Sequence, residues 1–183
     1  MLAGGASSRM GRDKASLEID GAPMGASVAS ALGACVETVR IVLRPEQQNP
    51  LGLARVDDAH PERAPIVGVA AALRACAAEA VLVAACDLPD LHPRFLLALL
   101  AHVPASGGPE VVAPRGPRGP EPLIAIYRKV LLPELERRIS AGELTLQALL
   151  RECDAHFVAE SLLREIDPEL AALRNVNRPE DLG

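Results

Sequence analysis

The chain has 183 residues, a formal net charge of −5 and nearly half its residues apolar, so it is long enough for one ordinary domain with a real core. It holds one Tyr, two Phe and no Trp, so base-stacking platforms are scarce, and with an acidic balance it is not built as a nucleic-acid binder. No apolar stretch reaches the ~18 residues of a membrane span, and a Gly-rich loop follows Met1 where a signal sequence would stand; the protein is expected to be soluble and cytoplasmic, with no membrane partner.

In sequence order, residues 1–3 read as the tail of a strand running into Gly4-Gly5-Ala6-Ser7-Ser8. A buried first strand normally needs about five residues, so the natural protein is expected to carry residues before Met1. Small apolar residues at helical spacing predict a helix over 23–35, and β-branched strands follow at 39–43 and, more briefly, 53–56. An Ala-rich helix is predicted over 66–79. The continuous apolar run 80–85 has the character of a strand buried on both faces.

A helix is expected at 93–102, with Pro93 in its first turn, then a Pro/Gly-rich region at 104–122 enclosing a short strand at 111–113. Strand 123–127, helices 131–140 and 145–152, and a strand at 156–159 complete the reading. Residues 179–182 look like a helix start. Alternating strands and helices through the first hundred residues predict an α/β fold of βαβ units with a parallel sheet. Ligands of such sheets bind beyond the carboxyl ends of the strands, which singles out the loop from Gly4, the segment at Asp58, and Asp87.

Cys35, Cys76, Cys86 and Cys153 show no C-x-x-C spacing and lie among apolar residues; buried free thiols are expected. His60, His92, His102 and His156 show no ligand spacing, Glu134, Glu136, Arg137 and Arg138 read as a solvated helix face, and Asp154 as a turn residue.

Three segments carry chemistry. In Leu2-Ala3-Gly4-Gly5-Ala6-Ser7-Ser8-Arg9-Met10-Gly11-Arg12-Asp13-Lys14, adjacent glycines allow close backbone approach, successive N–H groups cradle an anion, and Arg9 and Lys14 add cations for a triphosphate. The segment fits neither a P-loop nor G-x-G-x-x-G, and a loop of this composition can also be a plain turn. In Cys86-Asp87-Leu88-Pro89, a carboxylate at the tip of the most apolar strand can hold Mg²⁺ against phosphate oxygens, or serve as a turn or cap residue. In Asn175-Val176-Asn177-Arg178-Pro179-Glu180-Asp181-Leu182, two amides two residues apart point the same way from an extended backbone, and Asn177 also suits a helix N-cap.

Together these segments resemble the molybdenum cofactor guanylyltransferases: the opening L-A-G-G-x-S-x-R-M-G-x-D-K, the central C-D-x-P and the closing N-V-N-x-P-E-D-L occur in the same order. Ala64-Pro65-Ile66-Val67-Gly68 looks like the family's G-P-L-A-G turn, and Pro122-Leu123-Ile124-Ala125-Ile126-Tyr127 like its H/Q-P-L-x-A-x-Y strand. The resemblance implies a three-layer Rossmann-like nucleotidyltransferase fold with a mostly parallel central sheet. It implies one domain over 1–183, with a nucleotide half at about 1–103 and an acceptor half at about 104–183.

It further implies that Leu2, Ala3 and Gly4, with Gly5, meet the nucleotide through backbone groups. Lys14 and Arg9 would meet the phosphates, Asp58 would lie near the nucleotide, Asp87 would bind Mg²⁺ and GTP, and Asn175 and Asn177 would face the molybdopterin half. The sequence departs from the family at two places, with Glu121 where His or Gln precedes Pro-Leu, and Arg44 where Asn often ends the second parallel strand.

The implied reaction is in-line attack of the molybdopterin phosphate on the α-phosphorus of GTP with loss of pyrophosphate, driven by positioning and charge neutralisation. Molybdoenzymes or other cofactor-biosynthesis proteins are the implied recipients. Two rivals remain: a same-fold cytidylyltransferase or other transferase with a different phosphorylated acceptor, and a non-catalytic carrier of molybdenum cofactor.

Overall fold

The computed structural model describes residues 1–3, 18–19 and 22–176. Its elements are β1 (Glu18–Ile19), β2 (Ala22–Pro23), α1 (Gly25–Gly33), β3 (Arg40–Leu43), β4 (Ala54–Asp57), α2 (Pro65–Ala75), β5 (Ala80–Ala84) and α3 (Pro93–Leu100). They continue with β6 (Val111–Gly116), β7 (Gly119–Pro120), β8 (Ile124–Arg128), α4 (Leu132–Ser140), α5 (Leu146–Glu152), β9 (Ala155–Val158) and α6 (Glu160–Arg164). Single 3-10 turns occupy Lys129–Leu131 and Ala171–Leu173. Pro65 and Pro93 each follow a residue in extended conformation and open a helix, since the ring fixes φ for the first turn and the missing N–H has no helical partner to lose.

Residues 1–3 stitch the β3–β4 pair to the strands that begin with β5, making one sheet. Ala3 N–H donates to Val42 C=O on β3 at 3.0 Å; on the other side Leu2 N–H donates to Ala84 C=O at 2.8 Å and Leu2 C=O accepts from Cys86 N–H at 3.0 Å. Leu2 is parallel to both neighbours. The strand order is therefore β4, β3, residues 1–3, β5, β8, β6, β9, with β7 folded back on β6. β3–β4 and β6–β9 are parallel pairs, while β8 runs antiparallel to both β5 and β6. The mostly parallel sheet expected from the sequence is present, and among the described strands of that order β8 is its one reversal.

Alternating side chains carry the two faces. Met1, Ala3, Ile41, Leu43, Ala84, Val112, Ile124 and Ile126 pack with α1, α3 and Leu163 of α6. Val83, Val111, Ala113, Ala125 and Tyr127 pack with α2, α4 and α5. Helices on both faces make the three layers. Phe95, Leu96 and Leu99 of α3 are fully buried, each contributing about 1.5–3 kcal/mol. The two helices nearest residues 1–3 approach through glycine: a Cβ at Gly25 would lie 3.2 Å from Met1 Cε, and one at Gly68 3.2 Å from Leu2 Cδ2.

Several expectations are corrected. The helix predicted over 66–79 starts at Pro65, so the supposed 64–68 turn is its first turn, and it ends at Ala75. Ala77 and Ala78 are exposed and have no bulk to bury, and the backbone must reverse there to enter β5. β6 runs on past the predicted 111–113 to Gly116, because Pro114, which lacks an N–H, still accepts from Glu121 N–H at 3.0 Å. Arg138 is not solvated: it is 3 % exposed, held by Glu134 at 2.7 Å and by Glu152. None of the four cysteines is in a disulfide, but only Cys86 is buried, the others being half-buried. Burial pushes the Cys153 thiol up to about 11. His102 and His156 are not scattered; their rings stack at 4.9 Å with nitrogens 3.2 Å apart.

Candidate functional site

The carboxyl ends of β3, β4 and β5, with the segment leaving Ala3, face one edge of the sheet. The sequence-derived candidates Gly4, Gly5, Arg9, Lys14 and Asn177 lie outside the described residues. The strand that delivers the Gly-rich loop is described, and it fixes where that loop departs: between the end of β3 and the end of β5. Leu2 has both backbone groups engaged in the sheet, and its side chain packs between the α2 core and Val42. Ala3 is buried; its C=O accepts from Gln47 Nε2 at 3.1 Å.

Gln47 is a residue that the sequence did not single out. Its Oε1 accepts from Arg44 N–H at 2.8 Å while its amide nitrogen reaches Ala3, so one side chain ties the β3–β4 connection to the start of the loop. Arg55 reinforces the connection from β4, donating to Gln47 C=O at 2.8 Å and Arg44 C=O at 2.6 Å. Only the density of polar residues after β3 hinted at it, and that is common to many surface loops.

Arg44 and Asp58 are both nearly buried, at 8 % and 5 % exposure. Arg44 Nη1 donates to His60 C=O and, at 3.4 Å, to Glu62 C=O, and lies 3.7 Å from Asp58 Oδ1. The guanidinium thus faces the 58–62 loop. Asp58 Oδ1 also accepts from His60 N–H at 3.3 Å, a short Asx-type turn. Burial pushes the Asp58 carboxyl above its ordinary value, opposed by the His60 N–H and the Arg44 charge.

Asp87 follows β5 at its carboxyl end, half-buried beyond the buried Ala85-Cys86. Its carbonyl accepts from Val176 N–H at 2.9 Å. That bond brings Asn175 and Val176 to the tip of β5; Val176 is buried and Asn175 exposed beside it. The approach is prepared by Leu173, which packs over Gly116 so tightly that a Cβ there would lie 2.9 Å from Leu173 Cδ1. The segment 173–176 thus spans from the end of β6 to the end of β5.

Residues 121–123 cross the same gap beneath it. Glu121 N–H donates to Pro114 C=O on β6 at 3.0 Å, and Leu123 C=O accepts from Ala85 N–H at 2.9 Å. Glu121 is half-buried, and burial pushes its carboxyl up against the opposing charge of Arg118 in the β6–β7 turn. Tyr127 braces this turn from below, donating its hydroxyl to Pro122 C=O at 2.8 Å.

The edge therefore offers two neighbouring regions, one around Ala3, Gln47 and Asp58 and a second around Asp87, Asn175 and Glu121. A Mg²⁺ ion that rides on a polyphosphate needs only one or two protein carboxylates. Asp87 is a hard oxygen donor of that kind at a strand tip.

Residues 1–160 match the family of MobA-like NTP transferase domains. The chain belongs to this family. It is 37% identical to a Nostoc sp. protein named "Probable molybdenum cofactor guanylyltransferase", over all of this chain and 87% of the relative. It is 28% identical to the molybdenum cofactor guanylyltransferase of Desulfosudis oleivorans, over all of this chain and 90% of the relative. Among solved structures, molybdopterin-guanine dinucleotide biosynthesis protein A from Archaeoglobus fulgidus superposes with a TM-score of 0.81 at 29% identity, covering 99% of this chain and 92% of that one. This MobA-like protein has the fold and domain of a nucleotidyltransferase. No helix among its described residues is long and apolar enough to cross a membrane.

Proposed function

We propose that this MobA-like domain transfers GMP from GTP to the phosphate of molybdopterin, forming molybdopterin guanine dinucleotide and pyrophosphate in the cytoplasm. The observation that carries the reading is the Val176–Asp87 backbone bond, which seats Asn175 and Val176 at the tip of β5 next to Asp87. Full-length likeness to relatives named for guanylyl transfer supports the same reading.

In this reading residues 1–103 form the nucleotide half and 104–183 the acceptor half of one domain. The loop after Ala3 takes the base and ribose through Gly4 and Gly5, with Leu2 and Ala3 fixing its root and Asp58 nearby. Arg9 and Lys14 meet the triphosphate and stabilise charge on the departing pyrophosphate. Asn175 and Asn177 face the acceptor. Asp87 would hold Mg²⁺, which when bound neutralises and aligns phosphate oxygens.

An oxygen of the acceptor's phosphate monoester attacks the α-phosphorus as the bond to the bridging oxygen breaks. The monoester is already anionic near neutral pH, so the protein's task is alignment of the two substrates rather than proton removal. The product would pass to molybdoenzymes or to other cofactor-biosynthesis proteins.

Pyrophosphate release with Mg²⁺ and a phosphorylated pterin acceptor tests the assignment, with GTP and CTP run in parallel. Turnover with GTP well above CTP, falling at least a hundredfold in Asp87→Asn, is the expected result (roughly 3 kcal/mol of lost stabilisation). Turnover with CTP in place of GTP identifies a same-fold cytidylyltransferase, and binding without turnover identifies a carrier.

A further inference from the structure

We infer that Glu121 reads the ring of the acceptor, its carboxylate accepting paired hydrogen bonds from the N–H and NH₂ groups of a 2-amino-4-oxopyrimidine edge, the edge a pterin presents. The inference rests on the guanylyltransferase reading and names the part of the acceptor that Glu121 would meet.

Glu121 stands where residues 121–123 cross from β6 to β5, pinned at one end to Pro114 and at the other to Ala85. By strand spacing it lies within roughly 10 Å of Asp87. Its carboxylate packs beside Gly116 and Leu173: a Cβ on Gly116 would lie 3.7 Å from Glu121 Oε1 and 2.9 Å from Leu173 Cδ1. The carboxylate is thus beside the segment that carries Asn175 and Val176, and two strands away from the departure point of the Gly-rich loop.

Glu121 is half-buried, and among the described residues its carboxylate oxygens have no hydrogen-bond partner. The charged group acting on it is Arg118, in the exposed β6–β7 turn. Partial burial of a carboxylate without donors costs free energy that a ligand with donors would recover. An ionised carboxylate is acceptor-only, with two oxygens in one plane, so it matches an edge with two parallel N–H donors. A Gln at the same place would offer one acceptor and one donor and would match a 2,4-dioxo edge instead.

Guanine presents the same donor pair, so GTP is the second source of this chemistry. The position beside Leu173, which leads into Asn175 on the acceptor side of Asp87 in the proposed reading, assigns it to the pterin.

The test uses the full-length protein and calorimetric titration with a pterin monophosphate and the matching lumazine monophosphate, in which oxygen replaces the 2-amino group. GTP and ITP, which differ in the same 2-amino group, are titrated separately. The wild type is expected to prefer the pterin over the lumazine by roughly ten- to a hundredfold. In Glu121→Gln that ratio should collapse to within a few-fold, and Glu121→Leu should weaken the pterin without weakening the lumazine, while GTP and ITP affinities stay unchanged in both. A pterin-to-lumazine ratio that survives Glu121→Gln overturns the inference. So does a change confined to the GTP-to-ITP ratio, which would give Glu121 to the nucleotide. Loss of GTP binding by the wild type would instead sink the guanylyltransferase reading, with the ring preference still measurable.

Discussion

The backbone N–H of Val176 donates to the carbonyl oxygen of Asp87 at 2.9 Å, so the closing segment and the tip of β5 are held as one unit. Neither side chain is needed for this bond, which makes it a backbone clamp that most substitutions leave intact. Proline is the exception, because it removes the donor. Val176→Pro is expected to raise the KM for the phosphorylated acceptor at least tenfold while the GTP dissociation constant changes by less than threefold. Steady-state kinetics with separate nucleotide titrations would check this; parallel loss of both affinities would show that the clamp serves the whole edge.

Gly116 should tolerate Ala and not Val. The nearest atom to an added Cβ is Leu173 Cδ1 at 2.9 Å, the flexible end of a side chain that can give way to a methyl group. A branched side chain has no such room, and overpacking of this kind costs about 1–3 kcal/mol. Gly116→Val is therefore expected to lower the midpoint of thermal unfolding and to weaken acceptor turnover, since Leu173 leads directly into Asn175 and Val176. Calorimetry and pyrophosphate release on both variants would separate the two effects.

Arg44 should act on stability before it acts on the nucleotide. Its guanidinium is turned into the 58–62 loop, satisfying His60 and Glu62 carbonyls and facing Asp58. Removing one partner of a buried charge pair costs about 3–5 kcal/mol. Arg44→Ala is expected to destabilise the fold by that order in urea unfolding. Asp58→Asn, introduced on top, should restore part of the loss, because it removes the carboxylate left without its cation.

The pair of arginines beside Glu134 predicts a particular acid limb. Hydrogen bonds from Arg137 and Arg138 hold the Glu134 carboxyl down at about 2, against an ordinary 4.5. A carboxyl depressed by folding contributes stability that is full above its unfolded value and lost as pH falls through the folded one. Glu134→Gln should therefore lower the unfolding midpoint at pH 7. The gap to the wild type should close between pH 4.5 and pH 2, as followed by circular dichroism.

Much of this architecture was legible because its signals are local. Strands 39–43 and 80–85 carry β-branched or continuous apolar runs, and Pro93 marks a helix start that the structure keeps. Asp87 stood out because it follows the tip of the most apolar strand. What was hidden depends on distant residues meeting. Nothing in the order of Arg44, Gln47 and Ala3 says that one amide bridges the other two. Nothing near Arg138 announces that Glu152, on another helix, covers it. The extension of β6 through Pro114 was concealed by a residue that usually ends strands, and became possible because the hydrogen bond needed there uses its carbonyl. The resemblance to guanylyltransferases reached further than periodicity could, since it linked Asp87 with Asn175, which lie far apart in sequence.

The reversed strand, β8, has a consequence for how such an enzyme could change its clientele. In a purely parallel sheet every residue at the working edge comes from a loop that leads into a helix, and altering the loop risks moving that helix. Because β8 runs the other way, its entrance rather than its exit lies at the edge, and it is reached through the small β6–β7 hairpin. Hairpins accept exchange and lengthening with little effect on the layers behind them. The turn from Pro117 to Gly119 is accordingly a replaceable cassette, where new acceptors could be admitted while the strand that roots the Gly-rich loop stays untouched.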